Sequence, residues 1–338
     1  MNELAILKSV NFDWTLHLRN IWSDSVPHVP ELHREIRSEI LESLDDLALS
    51  EEWSPPLGKV IYGMPGSGKT HLLGSIRKET FQKNQWFILI DMTDVRDFEE
   101  TVLLGYIDSL QETYPDGRFQ YEIALERFLE QGGFPPTTLQ RMQKLSTPSL
   151  IQLTTQIIHR MRPKFSTELI NHQDVLRSLM YFHSKNPTLT DVGYSYLFGF
   201  NTDDDHYNQC GFLNNPPGYR KIIHSLSWIL SIGGVTVLAL DQLDAIVSQH
   251  NLASGSGEEA ILNDEQKISL SIIEGIASGL SALRDHTTRT LIVLTCLPST
   301  WDILTQKALI SHRDRFDLPL ALKDVNQSNV AEIIVQQR

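Results

Sequence analysis

The 338-residue sequence predicts an α/β protein built on a parallel sheet, and three observations carry that expectation. A short apolar run, 59–62, enters a glycine-rich turn that opens a helical stretch through Ile76 and Lys78. A second apolar run, 86–91, follows within about 35 residues, the spacing of a right-handed strand–helix–strand crossover. Two more runs of buried-strand length, 235–241 and 290–295, return late in the chain.

Taken in order, residues 1–57 read as a helical lead. Val29-Pro30 precedes 31–49, where Ile36, Ile40, Leu41, Leu44 and Leu47 recur at the three-to-four spacing of one helix face, and Pro55-Pro56 stops the run. Strand 59–62 and strand 86–91 then belong to a core segment, 58–96. From 97 to 228 the pattern is helical, broken by Tyr114-Pro115-Asp116-Gly117, Gly132-Gly133, Pro135-Pro136 and Asn214-Asn215-Pro216-Pro217-Gly218, with no alternation that would extend the sheet. The core resumes over 229–322. The uncharged run 225–240 reads as helix, a turn at Gly233-Gly234, and strand. A loop, Ala253-Ser254-Gly255-Ser256-Gly257, and a helix with Ile268, Ile272, Ile273, Ile276, Leu280 and Leu283 separate it from strand 290–295. A last strand is expected at 316–322, and a helix-like segment, 326–337, lies in a lid-like stretch at 323–338. There is no internal repeat.

Composition bounds the function. With 41% hydrophobic and 21% charged residues the chain is globular, which excludes disorder and collagen-like repeats. Twenty-nine Lys and Arg against 42 Asp and Glu leave a net charge of −13, so the whole surface disfavours polyanions and only a local basic groove could meet them. Cys210 and Cys296 stand apart, with no metal-ligand spacing, which argues for a reducing compartment and against zinc. Residues 1–10 lack the pattern of a signal peptide and no stretch approaches about 18 apolar residues, so a cytoplasmic protein with no membrane partner is expected.

The chemistry concentrates in Gly63-Met64-Pro65-Gly66-Ser67-Gly68-Lys69-Thr70, which fits G-x-x-x-x-G-K-[ST] between an apolar strand and a helix. Glycines let backbone N–H groups curl around phosphates, the helix N-terminus adds positive potential, and Lys69 brings a full charge to the β and γ phosphates. Thr70 supplies a hydroxyl for Mg²⁺, and His71 follows it into the nucleotide site. Strand 235–241 ends in Asp241, placed at the C-terminal edge of the sheet to orient a Mg²⁺-bound water beside Thr70. The expected cofactors are therefore ATP and Mg²⁺, with Thr70 and Asp241 as metal residues. Asp203-Asp204-Asp205-His206 reads as an exposed loop, there is no G-x-S-x-G element, and the cysteines have no identifiable catalytic base.

These residues resemble the additional-strand P-loop ATPases of the AAA+ and STAND classes, a likeness that covers about 58–322 apart from the helical insertion. The resemblance implies a three-layer parallel-sheet core with strand order 5-1-4-3-2 and a helical insertion between the second strand and the Walker B strand. Thr295-Cys296-Leu297-Pro298-Ser299-Thr300-Trp301-Asp302 is similar to a sensor-1 segment and implies that Thr295 contacts the γ-phosphate or the attacking water. His312-Arg313-Asp314-Arg315-Phe316-Asp317 looks like the family's R-F-D element, which implies Arg315, with Arg313 as alternative, as an arginine finger toward a neighbouring subunit. The family usually places Glu after the Walker B Asp, whereas this chain reads Asp241-Gln242-Leu243-Asp244. A glutamine holds a water but cannot take its proton, so hydrolysis is slow or another carboxylate serves: Asp91 or Asp94, at the end of the strand expected beside Asp241, or Asp244. Family members carry Asn more often than Thr at the sensor, and the interval from Thr295 to Arg315 is longer than in the clearest R-F-D proteins.

The stretches Asp174-Val175-Leu176-Arg177-Ser178-Leu179 and Tyr196-Leu197-Phe198-Gly199, with Asp241–Asp244, also resemble bacterial ATPases of antiphage defence loci. That likeness implies a homo-oligomer acting on a partner protein through the helical insertion. DNA or RNA is the other partner class, through His159-Arg160-Met161-Arg162-Pro163-Lys164, although such clusters are most often solvated faces. The resulting expectation is an ATP- and Mg²⁺-dependent ATPase whose nucleotide state drives assembly and controls a partner. A nucleotide-binding scaffold with little hydrolysis and a DNA-loading motor are the alternatives.

Overall fold

A computed structural model of the chain describes residues 21–23, 31–50, 57–200, 204–244, 264–307 and 316–322. Strands β3 (Thr236–Asp241) and β4 (Thr290–Cys296) are buried at every position, on both faces of the pleat. Only a sheet covered by helices on both sides does this, and it is why these strands read as continuous apolar runs instead of alternating ones. With β1 (Leu57–Tyr62), β2 (Trp86–Asp91) and β5 (Leu320–Ala321) they form one five-stranded sheet, in the order β5-β1-β4-β3-β2, every neighbouring pair parallel. The expected α/β class and strand order are therefore observed.

The last strand is shorter than the expected 316–322. Only Leu320 and Ala321 pair with Ile61 and Tyr62. Pro319 has no N–H to offer the ladder, so the segment is held ahead of it by Asp317 N donating to Gly58 O at 3.0 Å.

Helix α1 (Arg34–Leu49) buries Ile40, Leu41, Leu44 and Leu47 and packs on α2 (Lys69–Gln82). Arg37 with Glu79 at 3.2 Å and Lys83 with Asp45 at 2.5 Å pin the two helices along their length. The lead is thus part of one layer of the core over these residues. Among the described residues seven helices separate β2 from β3: α3 (Phe98–Leu110), α4 (Gln120–Gln131), α5 (Thr137–Met142), α6 (Thr147–His183), α7 (Pro187–Leu197), α8 (Asp204–Gln209) and α9 (Tyr219–Gly233). Helices α10 (Asp264–His286) and α11 (Pro298–Lys307) flank β4 in sequence. Among the described residues no strand falls inside the insertion; Thr113 and Phe119 make an isolated bridge across the Pro115–Gly117 turn. No described helix is long and apolar enough to cross a membrane.

The insertion also closes the sheet. Strand β2 is an edge, and an edge leaves unpaired backbone groups that invite another strand. Gln120, fully buried, meets them as a peptide group would: its Oε1 accepts from Phe87 N at 3.1 Å while its Nε2 donates to Phe87 O at 2.9 Å. Ser109 Oγ accepts from Leu89 N at 2.9 Å. The sheet ends at β2 because side chains of the insertion occupy the place of a sixth strand.

The basic cluster of α6 lies at the surface, with Arg160 and Lys164 exposed and Arg162 half-buried, and its cations contact neighbouring side chains. Arg160 lies over the Phe134 ring at 4.8 Å, Arg162 Nη2 donates to Gln173 Oε1 at 3.4 Å, and Lys164 Nζ donates to Gln131 Oε1 at 2.5 Å. Pro163 lies within this helix, and Ser166 just after it leaves helical geometry at φ 44, ψ −121. The break thus falls three residues past Pro163, beyond the preceding turn that a proline crowds.

Candidate functional site

Parallel strands bring their C-terminal ends to one edge of the sheet, and the loops after β1, β2, β3 and β4 share that edge. The loop after β1 is glycine-rich for a backbone reason. Gly66 (φ 77) and Gly68 (φ 91) occupy the left-handed region, where a side chain costs about 1–2 kcal/mol. The loop closes with Ser67 N donating to Met64 O at 3.1 Å, and α2 starts with Leu72 N donating to Gly68 O at 2.9 Å. Gly66 faces open space, and Ser67 Oγ is buried with no hydrogen-bond partner. Lys69 folds over this loop, its Nζ donating to Gly63 O at 2.8 Å and to Met64 O at 3.4 Å.

Thr70 is the second residue of α2, and its Oγ1 donates to Asp241 Oδ2 at 2.7 Å across 171 residues of chain. Asp241 is 1% exposed at the end of β3. Its Oδ1 accepts from Gln242 N at 2.9 Å and from the hydroxyl of Thr295, which reaches it from β4, the strand between β1 and β3. Burial pushes the Asp241 carboxyl above the usual carboxylate range, against the bonds from Thr295, Thr70 and Gln242 and the field of Lys69. Thr295 is fully buried and its hydroxyl is committed to Asp241, so its observed partner is this carboxylate.

Asp91 ends β2 directly opposite Asp241 in the ladder and is exposed. Its Oδ1 accepts from Thr93 N at 2.9 Å. Thr93 Oγ1 lies 2.5 Å from Asp91 Oδ1 and 2.6 Å from Gln242 Oε1. A hydroxyl has one proton to donate, so all three groups are served together only when the Gln242 amide turns its Nε2 toward Thr93. Gln242 sits in the left-handed region at φ 67, unusual for a residue with a side chain. Asp94 and Asp91 open onto a cleft of about 680 Å³ along the outer edge of β2. Asp244 is held elsewhere: its Oδ1 accepts from Leu297 N at 2.5 Å and Thr300 Oγ1 at 2.9 Å, and its Oδ2 is 3.8 Å from Lys69 Nζ.

His33, ahead of α1, braces the glycine-rich loop. Its Nε2 lies 2.7 Å from Ser67 O, and because a carbonyl only accepts, that nitrogen carries the proton. Burial lowers its pKa, with His71 as a like-charged neighbour. A side-chain carbon on Gly68 would stand 3.3 Å from the same nitrogen.

Sequence reasoning therefore assembled Gly63, Pro65, Gly66, Ser67, Gly68, Lys69, Thr70 and His71 on one loop and brought Asp241, Gln242, Thr295 and Asp91 to its side. It missed His33, Thr93 and Lys59. Lys59 is buried on β1 between Glu39 of α1 at 3.1 Å and Asp317 at 2.8 Å. A lysine inside an apolar strand was the one available signal; nothing local marks the other two. Arg313 and Arg315 lie outside the described residues, as do Asp203, the 253–257 loop and the 326–337 segment. Asp205 and His206 are exposed on α8, and among the described residues no group of three His, Cys, Asp or Glu could hold a metal.

The donors at the loop suit a magnesium polyphosphate. Thr70 and Asp241 are hard oxygens on adjoining elements, the pair that a largely hydrated Mg²⁺ uses, and Lys69 is the compact cation of a phosphate site. The orphaned Ser67 hydroxyl and the open face of Gly66 are consistent with a loop that receives a ligand. Comparison with models of known families, with curated proteins and with solved structures finds no match to this chain.

Proposed function

We propose that the chain is an ATP- and Mg²⁺-dependent ATPase of the additional-strand P-loop type, similar to AAA+ and STAND proteins. The observation that carries the reading is the Thr70–Asp241 hydrogen bond, 2.7 Å long, joining the glycine-rich loop to the acid of β3. The strand order supports it, because β4 lies between β1 and β3 and brings Thr295 to the same carboxylate. In this reading the loop and Lys69 bind the phosphates, Thr70 and Asp241 hold the metal, and Gln242 orients water. ATP with its metal supplies the reactive phosphoryl group. Nucleotide state then controls assembly of a homo-oligomer and a partner protein, with Arg315 or Arg313 acting across the subunit interface.

Calorimetric titration with Mg-ATP tests it. The wild type binds, Lys69→Ala does not, and Thr70→Ala binds ATP with its Mg²⁺ dependence lost. A wild-type titration indistinguishable from that of Lys69→Ala refutes the reading. For the finger, Arg315→Ala lowers turnover in the assembly and spares affinity; full activity in a stable monomer refutes that part.

The second reading, a nucleotide-binding switch with little hydrolysis, is favoured by Gln242. It cannot accept a proton, and its left-handed backbone and contact with Thr93 hold it in place. Single-turnover phosphate release no faster than in Lys69→Ala selects the switch, and release that rises in Gln242→Glu selects an ATPase limited by its proton acceptor. A DNA-loading motor has no specific observation in its favour: Arg160 and Lys164 are exposed on α6, but each already contacts a neighbouring side chain.

A further inference from the structure

Asp244 faces two elements at once. Its Oδ1 caps α11, accepting from Leu297 N at 2.5 Å and from the buried Thr300 hydroxyl at 2.9 Å. Its Oδ2 stands 3.8 Å from the Lys69 ammonium, which among the described residues also donates to the carbonyls of Gly63 and Met64 and acts on the Asp241 carboxyl. An N-terminal cap of this kind needs only an acceptor oxygen, which asparagine supplies as well as aspartate. Asparagine thus keeps both bonds of the cap and gives up only the modest gain a charge makes at a helix N-terminus, while among the described residues the cation facing Oδ2 is the lysine of the glycine-rich loop.

Helix α11 leads onward. Trp301, whose N–H donates to Leu297 O at 3.1 Å, packs edge-on against Phe316 at 5.8 Å between ring centres. Phe316 precedes Asp317, which is fixed to β1 by Lys59 at 2.8 Å and by Gly58 O at 3.0 Å. Helix α11 is thus tied to Asp244 at its start, and Asp317 is tied directly to the strand that feeds the glycine-rich loop.

We propose that Asp244 is a positioning residue that links Lys69 to the N-terminus of α11, so that a polyphosphate drawing Lys69 toward itself is registered by α11. The proposal rests on the nucleotide reading above. Bound phosphate and the Asp244 carboxylate compete for one ammonium, and two anions on either side of Lys69 also repel each other. The carboxylate therefore weakens nucleotide binding, and the shift of its partner loosens or re-aims the helix it caps.

Asp244→Asn separates the two roles, because its Oδ1 still accepts from Leu297 and Thr300 while the charge toward Lys69 is gone. Mg-ATP affinity is measured by calorimetry, and amide hydrogen exchange is followed over 297–307 with and without Mg-ATP. In the wild type, Mg-ATP changes exchange in α11. In Asp244→Asn, affinity rises at least about threefold, as expected for removing a like charge near the phosphates, and the α11 response disappears. Asp244→Ala, which lacks the cap too, exchanges faster at 297–300 even without nucleotide. Unchanged affinity in Asp244→Asn, or an α11 response that persists in it, overturns the proposal while leaving the nucleotide reading intact. A wild type that binds no Mg-ATP overturns both.

Discussion

Replacing Asp241 by Asn should make the protein more stable and less functional. In the native site Oδ1 accepts from Gln242 N and from Thr295, and Oδ2 accepts from Thr70. An asparagine with its amide nitrogen in the Oδ2 place keeps both Oδ1 bonds and reverses only the one to Thr70, whose hydroxyl accepts as readily as it donates. What disappears is a carboxylate with 1% exposure. Three hydrogen bonds to a charged acceptor return about 1.5–3 kcal/mol each, against several kcal/mol for desolvating the charge. The upward displacement of the Asp241 pKa says that desolvation is the larger, so neutralisation stabilises the fold near neutral pH. A carboxyl with a raised folded pKa contributes stability below its unfolded value, 3.8, and loses it as pH climbs through the folded value. The advantage of Asp241→Asn is therefore smallest at the acid end and grows toward neutrality. Urea denaturation of both proteins from pH 4.5 to 8 measures it, alongside Mg-ATP titration, where Asp241→Asn should lose at least about tenfold in affinity. A destabilised Asp241→Asn at pH 7.5, or a stability difference that ignores pH, refutes the reasoning.

Three further outcomes follow from the same packing. Gln120→Ala strips partners from Phe87 N and O and from Ser109 O, all buried at the β2 edge, and should cost about 3 kcal/mol or more in urea; a loss under about 1 kcal/mol refutes the peptide-mimic role. Gly68→Ala adds left-handed strain and a carbon 3.3 Å from His33 Nε2, whereas Gly66→Ala adds the strain alone, so Gly68→Ala should have the lower melting temperature; equal values argue against His33 as the brace. His172 stacks on Trp228 at 4.7 Å, and burial, with His224 beside it, pushes its pKa down to about 3; exposed Glu168 at 3.5 Å does not offset this. A base with a depressed folded pKa loses stability as pH falls from 6.5 toward 3, so His172→Gln should flatten the acid limb of the urea midpoint against pH, and an unchanged limb refutes the assignment.

The parts of this protein legible in its sequence are those written as local pattern. Continuous apolar runs at 235–240 and 290–295 announce strands buried on both faces, and the glycines of 63–68 announce a loop whose backbone needs left-handed positions. From those patterns and a chain-order resemblance, the sheet order and the meeting of Thr70 with Asp241 could be stated in advance. The final strand could not be sized, because the register beside β1 and the missing N–H of Pro319 decide where pairing stops.

Other features depend on the path by which the chain returns. Thr93 meets Gln242 across 149 residues, Asp244 meets Leu297 across 53, and Gln120 substitutes for a neighbouring strand 33 residues from Phe87. Each is an ordinary polar residue in its own neighbourhood, with nothing to set it apart from a solvated one. The basic cluster of α6 shows the converse: a charge pattern conspicuous in sequence stays at the surface but is tied to its neighbours Phe134, Gln173 and Gln131. By itself the sequence determined which segments must be buried and which loop turns through left-handed glycines, because hydrophobic periodicity and backbone sterics act locally. Only the tertiary structure decided which polar groups face that loop, because a hydrogen bond needs two partners within about 3 Å and the second partner is supplied by packing.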